Sequence, residues 1–397
     1  MTILVASFDE VPSFKGASTH ILAGLRTAIR TREVLLVTLG DTALPAAPGF
    51  RHLPVPIRER NLLRRATAFR AAVRRIIRAE RPTVVHARSP WEGLPALEQG
   101  IPLLFEVNGL ASIELPYRFR SIPASVIEKL AAEEARCLDH ARAVIVPSLL
   151  LRDLLIARGC RAPIRWLPNG VDPVPVRAAP YRPPSPGEPL RLIYLGTLAP
   201  WQGIVWSLRA IRGIADGVHL DIYTPTRGPL RAYLERRIRR YGLGGTVRVR
   251  EPVGRAELSA ALYGAHLGFA PFLKTERNTD QGGFPLKLLD FRTHALPILA
   301  PDLRLVRQAA DERTAALYHP NSVRSLTARL EELARRPELL AAMHERSAAD
   351  TATSWSWERY GEELDDLYEG LSPGAATASD GASEGGEYRR LGRDTAA

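Results

Sequence analysis

The sequence predicts an α/β protein with two doubly wound, Rossmann-like domains, and three observations support that fold class. Short continuous apolar runs alternate with longer amphipathic stretches along residues 1–172. A proline-rich segment, 173–189, interrupts this alternation, which then resumes over residues 190–355. Continuous apolar runs are typical of strands covered on both faces of a parallel sheet, and a β-α-β rhythm is typical of doubly wound sheets. We therefore expect two domains of similar size joined by a linker.

In the first domain the predicted strands are short runs rich in Val, Ile, Leu and Phe. They lie at 3–8, 34–38, 84–87, 103–107, 143–147 and 164–167. Apolar residues at helical spacing predict amphipathic helices between them, for example at 20–30, 61–81 and 127–140. Seven prolines between Pro173 and Pro189 disfavour a helix or a central strand, so this segment is predicted to be the interdomain linker.

The second domain repeats the pattern and is followed by a distinct C-terminal region. Its predicted strands lie at 190–195, 218–223, 247–250, 267–270, 296–300 and 316–318. Helical patterns cover 322–349 and 357–370, the second with Trp357, Tyr360 and Leu364 on or near one face. From residue 372 onward Gly, Ala, Ser, Asp and Glu dominate, so the tail 372–397 is predicted to be disordered.

Length and composition exclude several classes of protein. The chain has 397 residues, of which 45% are hydrophobic and 24% charged, which excludes a fibre, a disordered chain and a disulfide mini-scaffold. Two cysteines, Cys137 and Cys160, are too few for a disulfide framework and favour a reducing compartment. The sequence has no uncharged apolar run of about 18 residues, and its first residues predict a strand rather than a signal peptide. We therefore expect a cytoplasmic protein.

The charge balance favours an anionic partner. Lys and Arg number 54 against 43 Asp and Glu, which gives a net charge of +11. Nucleic acid, an anionic membrane surface and phosphorylated small molecules are all compatible with such a surplus. The predicted helix at 61–81 carries Arg64, Arg65, Arg70, Arg74, Arg75 and Arg78 around an apolar stripe. It is interpreted either as a solvated charged face or as a contact with anionic lipid.

The first β-to-α junction, residues 7–20, has features of an anion site. Gly16 allows the backbone to approach a ligand, and Ser18 or Thr19 is expected to cap the following helix, whose first amides are free to bind an anion. An ordinary surface loop with a capped helix explains the same residues. The junction has no Gly-x-Gly-x-x-Gly pattern, which disfavours a dinucleotide-dependent dehydrogenase.

The segment 281–290 gives a sharper signal. Gly282 and Gly283 predict a tight turn, and Pro285 suits the first position of a helix. Lys287 then lies in the first turn, where the helix dipole disfavours a cation by about 0.3–1 kcal/mol unless an anion binds there. Glycines, free amides and a lysine at a helix start suit a phosphate or pyrophosphate. The alternative is an amphipathic helix with a solvated lysine.

Taken in order, these segments resemble the family 4 retaining glycosyltransferases, which have the GT-B architecture of two Rossmann-like domains facing across a cleft. The resemblance extends from about residue 3 to 368 and includes the Pro168-Asn169-Gly170-Val171-Asp172 motif and the Pro-Trp-x-Gly turn at 200–203. Its other matching segments are 15–20, 196–199, 268–272, 284–290, 295–297 and 356–358. It implies that the last helix, within 356–371, returns to the first domain.

The resemblance implies a nucleotide-sugar donor held mainly by the second domain and an acceptor met by the first, with no metal and no other cofactor. The implied donor-binding residues are Gly196, Thr197, Gln202, Gly254, Gly282, Gly283, Phe284, Pro285, Leu286, Lys287 and Asp290. The implied acceptor-side residues are Gly16, Ser18, His20, Glu106 and Asn108. Lys287, Asp290 and Asn108 are the candidates for a catalytic role.

This sequence departs from the family pattern where charges are expected. The family's Glu-x7-Glu motif falls at Gly282 and Asp290, and its Arg and Lys after the first strand of the second domain fall at Thr197 and Gln202. Lys287, with Lys274 or Arg277, is a candidate to replace the missing positive charge.

The predicted function is transfer of a sugar from a nucleotide-sugar to a glycan or lipid-linked acceptor, in surface polysaccharide or glycolipid synthesis, with possible contact to the inner face of the cell membrane. An inactive partner subunit and a nucleotide-sugar epimerase of the same architecture are the alternatives. Nucleic-acid binding is disfavoured because the motifs cluster at β-to-α junctions.

Overall fold

The structure is a computed structural model that describes residues 1–119, 121–174, 180–349 and 355–371. Within those residues the chain forms two parallel sheets, each covered by helices on both faces. This arrangement confirms the predicted fold class. The predicted tail, 372–397, and the central part of the predicted linker, 175–179, lie outside the described residues.

The first sheet has the strand order β3-β2-β1-β4-β5-β6-β7. Its strands are β1 (Thr2–Glu10), β2 (Glu33–Leu39), β3 (Phe50–Val55), β4 (Val84–Ala87), β5 (Leu103–Glu106), β6 (Ala143–Val146) and β7 (Ile164–Trp166). The connecting helices are α1 (Gly16–Thr31), α2 (Leu62–Glu80), α3 (Pro90–Glu98), α4 (Ala111–Arg118), α5 (Ala124–His140) and α6 (Leu149–Ala157). The order reverses between β1 and β4, where doubly wound sheets open a crevice at the carboxyl ends of their strands.

The second sheet has the equivalent order β10-β9-β8-β11-β12-β13. Its strands are β8 (Leu190–Leu195), β9 (Val218–Tyr223), β10 (Val247–Arg250), β11 (Leu267–Phe269), β12 (Ile298–Pro301) and β13 (Ala315–Tyr318). The helices that follow in the chain are α7 (Ile204–Gly213), α8 (Pro229–Arg240), α9 (Arg255–Gly264), α10 (Leu286–Thr293), α11 (Arg304–Arg307), α12 (Val323–Arg335) and α13 (Pro337–Ala349). Here the order reverses between β8 and β11.

The end of the described chain returns to the first domain. The backbone of Val171 pairs with the segment before α14 (Trp357–Gly370), since its amide donates to the Trp355 carbonyl at 2.8 Å. Helix α14 then packs against α1, and Tyr360, Leu364 and Tyr368 are buried in the apolar cluster on that face of the first sheet. This contact confirms the expected return of the last helix.

Four details differ from the sequence predictions. Strand β3 was not predicted because it is a half-buried edge strand containing Pro54, without a continuous apolar run. The predicted helix 322–349 is two helices, since Pro337 starts a new one after Arg336. Strand β12 starts at Ile298 rather than residue 296.

The fourth difference concerns the start of α1. It begins at Gly16 with Lys15 as its N-terminal cap residue, so neither Ser18 nor Thr19 caps it. The Ser18 hydroxyl instead accepts a hydrogen bond from the Ser13 amide at 3.0 Å and fixes the preceding loop.

Candidate functional site

Loops at the carboxyl ends of the two sheets contact each other and form the candidate site. A Cβ on Gly16, at the start of α1, would lie 3.3 Å from the side chain of Leu286 at the start of α10. The Leu110 amide of the first domain donates to the Gln281 side-chain oxygen of the second at 2.7 Å. Asn169 donates to the Phe284 carbonyl at 2.7 Å. The predicted acceptor side and donor side therefore face each other.

Lys287 lies at the centre of the predicted donor side. It occupies the first turn of α10, and its ammonium donates to the Gln202 side-chain oxygen at 2.6 Å. The same ammonium lies 4.0 Å from the centre of the Tyr194 ring and 5.1 Å from that of Phe272. Burial lowers the pKa of Lys287 well below its ordinary value, and the positive charge of Arg277 adds to this effect. A buried lysine without a carboxylate neighbour is costly unless an anion joins it.

Two glycines let the backbone lie close to the Lys287 and Arg277 cations. A Cβ on Gly196, which follows β8, would lie 3.3 Å from the Lys287 ammonium. Gly283 has a φ of +137°, which only glycine adopts readily, and a Cβ there would lie 3.3 Å from the Arg277 guanidinium. Pro285 is the cap residue of α10 rather than its first helical residue, one position earlier than predicted. These groups lie at the switch point of the second sheet.

Arg277 supplies a second cation at this place. It lies in a short π-helical turn, Arg277–Gln281, and its guanidinium donates to the Gly282 carbonyl. It also stacks on the Trp201 ring with its central carbon 5.4 Å from the ring centre. Lys274, the other cation named from the sequence, is exposed. Its backbone amide, rather than its ammonium, donates a hydrogen bond to the Asn321 side-chain oxygen.

Asp290 lies one turn further along α10. Its carboxylate accepts a hydrogen bond from Arg255 at 2.8 Å, and its side chain is 17% exposed. Burial raises the pKa of Asp290, and the Arg255 charge opposes that shift. Two other predicted donor residues are less closely engaged, since Thr197 and Gly254 are exposed and a Cβ on Gly254 would meet nothing within 4 Å.

On the acceptor side, Glu106 organises a buried cluster. Its two carboxylate oxygens lie 2.8 Å from His20 Nε2 and 3.0 Å from His86 Nε2, and Asn108 donates to it. Burial alone would raise the pKa of Glu106, but the Arg88 charge and the histidine contacts outweigh it and hold the pKa well below its ordinary value. The cluster is therefore a stable carboxylate at the base of the cleft.

His20 links this cluster to both the last helix and the donor loop. Its Nδ1 lies 2.8 Å from the Asn169 side-chain oxygen and its Nε2 lies 3.0 Å from the Tyr360 hydroxyl. Asn169 in turn holds the Phe284 carbonyl. The sequence identified His20, Glu106 and Phe284 individually but missed Asn169 as their connection. The position of Asn169 in the Pro168–Asp172 motif was the only signal for it.

A separate cavity of about 400 Å³ opens at the carboxyl ends of β1, β2 and β3. Its lining includes the apolar Val11, Leu39 and Ile57 together with charged groups from Glu10 and Arg65. The Arg65 guanidinium lies 5.5 Å from the centre of the Phe8 ring. The sequence identified Arg65 only as one of six arginines on a helix, and the structure places it at this cavity.

Within the described ranges, no group of three or more His, Cys, Asp or Glu side chains is arranged to hold a metal ion. A search of the same ranges finds no helix that is long and apolar enough to cross a membrane.

Two doubly wound domains that face each other across a crevice are the GT-B architecture, and the comparisons with known proteins agree. The model of Glycosyltransferase Family 4 matches residues 14–174, and that of Glycosyl transferases group 1 matches residues 189–336. The chain belongs to these families and is a glycosyltransferase with the GT-B architecture. None of the curated protein sequences matches it.

Several solved structures share the fold over almost the whole chain. Sucrose-phosphate synthase from Thermosynechococcus elongatus is 17% identical, with a TM-score of 0.75 over 93% of this chain and 98% of the other. Anabaena Alr3699/HepE in complex with UDP and glucose is 14% identical, with a TM-score of 0.71 over 92% and 99%. WaaG, a glycosyltransferase involved in lipopolysaccharide biosynthesis, is 15% identical, with a TM-score of 0.69 over 92% and 99%. At these identities the likeness shows the fold.

Proposed function

We propose that this glycosyltransferase moves a sugar, with retention of its anomeric configuration, from a nucleoside-diphosphate sugar to a glycan or lipid-linked acceptor. The observation that carries the proposal is the pair of cations, Lys287 and Arg277, packed closely against the glycine backbone at Gly196 and Gly283. A diphosphate is the ligand class that such a site fits, since it places negative charge where two positive charges lie close together. HepE has been crystallised with UDP and with UDP-glucose, which favours UDP as the nucleotide.

Each donor-side residue has a role in this proposal. Lys287, Arg277 and the first amides of α10 hold the diphosphate, and Asp290 accepts hydrogen bonds from the ribose hydroxyls. These positive groups provide the charge that a metal ion would otherwise supply, so the proposal includes no metal and no other cofactor. Gln202 orients the Lys287 ammonium rather than binding phosphate itself.

The transfer step needs orientation more than an acid–base pair. The acceptor hydroxyl oxygen bonds to the anomeric carbon on the face from which the diphosphate leaves, and the hydroxyl proton passes to a donor phosphate oxygen. The protein then contributes positioning and stabilisation of the leaving diphosphate's charge. Asn108, held by the Glu106 carboxylate, is our candidate to orient the acceptor at the cleft.

The acceptor is proposed to approach through the first domain. The cavity beside β1, β2 and β3 combines apolar walls with Glu10 and Arg65, which suits part of a glycan or a lipid-linked glycan. On α2, Arg70 and Arg74 are paired with Glu98, whereas Arg64, Arg75 and Arg78 are exposed and have no ion pair with the described residues. We propose that the exposed group contacts an anionic membrane surface from the cytoplasmic side during surface polysaccharide or glycolipid synthesis.

The test is turnover of UDP-sugars by the purified protein. We expect slow release of UDP from UDP-glucose or a related UDP-sugar in water, faster release with an acceptor, and a product with the donor's anomeric configuration by NMR. Conversion of the UDP-sugar to its epimer without release of UDP would favour the epimerase. Binding of UDP without any turnover across a panel of sugars would favour an inactive partner subunit.

A further inference from the structure

Arg277 is shared between the two domains. Its Nε lies 3.1 Å from Glu114 Oε1 on α4 of the first domain, while its other end lies at Gly282 and Gly283 in the second. Gln281 reinforces the contact, since its side-chain nitrogen donates to the same Glu114 oxygen at 3.2 Å and its oxygen accepts from Leu110. This set of contacts between α4 and the π-helical turn is called the α4 latch below.

The α4 latch gives Arg277 a carboxylate partner that Lys287 lacks. Among the residues that the structure describes, the Lys287 ammonium has one amide oxygen and two aromatic rings as partners, and no carboxylate. Glu114 is therefore the carboxylate that contacts this pair of cations, through Arg277, and it comes from the opposite side of the cleft, where it also lies 3.8 Å from Arg118. It is only about one-fifth exposed, so its attraction for Arg277 is weakly screened by water.

We propose that Arg277 binds the donor diphosphate and that Glu114 competes with the diphosphate for it, so that donor binding loosens the α4 latch. The inference rests on the proposed function and deepens it, because donor binding would then weaken a contact made by the first domain. A carboxylate carries one negative charge and a diphosphate carries more, so the guanidinium gains by the exchange. Arg277 stacks on the ring of Trp201, which belongs to the same domain, so this contact is kept during the exchange.

Two substitutions with opposite effects test the proposal, with UDP binding by calorimetry as the readout. Arg277→Gln should weaken UDP binding by about 10-fold or more, the usual effect of losing a charged hydrogen bond. Glu114→Gln keeps an acceptor for Gln281 but removes the competing charge, and should tighten UDP binding roughly two- to ten-fold. In the double variant the gain from Glu114→Gln should disappear, whereas a gain that comes from Arg118, the other arginine beside Glu114, would remain.

Matched controls remove an equal charge away from the site. Lys129→Gln removes an exposed cation and Glu128→Gln removes an exposed acid, both on α5. Both should leave UDP affinity unchanged, and thermal melting checks that all variants fold. If Arg277→Gln binds UDP like the wild type, or if Glu114→Gln tightens binding equally without Arg277, the exchange is wrong while the proposed function stands. If folded wild type and Glu114→Gln both fail to bind UDP, ADP and GDP, the proposed function and the exchange are both wrong.

Discussion

Replacing Lys287 with methionine should stabilise the protein and damage its donor site at the same time. The side chain is only 8% exposed, and its ammonium is surrounded by the Gln202 amide and the Tyr194 and Phe272 rings. Methionine has a similar length and no charge, so it fills the same space without the cost of burying an ammonium. Packing alone does not explain a lysine at this position, because methionine would pack there without the cost of a buried charge.

The sign and the pH dependence of the stabilisation follow from the direction of the pKa shift. Because burial lowers the pKa of Lys287 in the folded protein, the unfolded chain binds more protons than the folded one between the folded pKa and about 10.5. Each unit of lowering costs the folded state about 1.4 kcal/mol. The cost is full below the folded pKa, shrinks as pH rises through that value, and vanishes above about 10.5. Lys287→Met should therefore raise the Tm at pH 7 by roughly 2–4 °C for each kcal/mol recovered.

The same substitution should weaken UDP binding by roughly 10- to 150-fold, corresponding to the ~1.5–3 kcal/mol of a charged hydrogen bond. Thermal melting at pH 7 and near pH 10, with calorimetry of UDP at pH 7, measures both effects. The Tm difference from the wild type should narrow at the higher pH. Lys129→Met, at an exposed position on α5, should change neither quantity. A Lys287→Met protein that melts earlier but binds UDP normally would show that Lys287 serves packing.

Much of the fold was predictable because parallel sheets leave a strong local signal. Strands such as β4 and β6 are buried on both faces, so every residue in them is apolar or small except His86. Strand β3 lacked this signal because an edge strand is covered on one side only. The start of α1 was misplaced because Lys15, which caps it, has no side-chain hydrogen bond to the helix and is not a typical cap residue.

The donor side was partly predictable for a related reason. Gly283, Pro285 and Lys287 lie within five positions, so their spacing alone predicts a turn, a helix start and a misplaced cation. The partners of these residues are far away in the chain. Glu114 is 163 residues from Arg277, and no pattern within one segment indicates that contact.

Position-by-position comparison with the family leaves open which cation replaces the missing charges. Thr197 and Gln202 stand where the family has cations, and the sequence offered Lys287, with Lys274 or Arg277, as the replacement. In the structure Gln202 faces the Lys287 ammonium, and Arg277 reaches the same glycine turn from a neighbouring loop. We infer that the positive charge has moved to other positions rather than been lost.

Three further predictions test the remaining assignments. Asp290→Asn should reduce UDP affinity, because it removes the carboxylate proposed to accept hydrogen bonds from the ribose hydroxyls. Its Tm should stay nearly unchanged, because burial already raises the pKa of this carboxyl. A variant that melts early but binds UDP normally would show a structural role. Asn169→Ala should destabilise the fold by about 1–3 kcal/mol, since it leaves the buried Phe284 carbonyl without its donor; denaturant unfolding measures this, and an unchanged midpoint would contradict it. The third prediction concerns α2, where Arg64, Arg75 and Arg78 are exposed while Arg70 and Arg74 already pair with Glu98. Each exposed arginine near an anionic bilayer contributes about 1 kcal/mol, an attraction that salt screens. Co-sedimentation with phosphatidylglycerol-containing vesicles should therefore be detectable at low salt and fall as salt is added. It should be lost when these three residues become glutamine, whereas Arg70→Gln and Arg74→Gln should retain most of it. Equal binding to neutral and anionic vesicles would contradict an electrostatic contact and favour an acceptor that reaches the enzyme from solution.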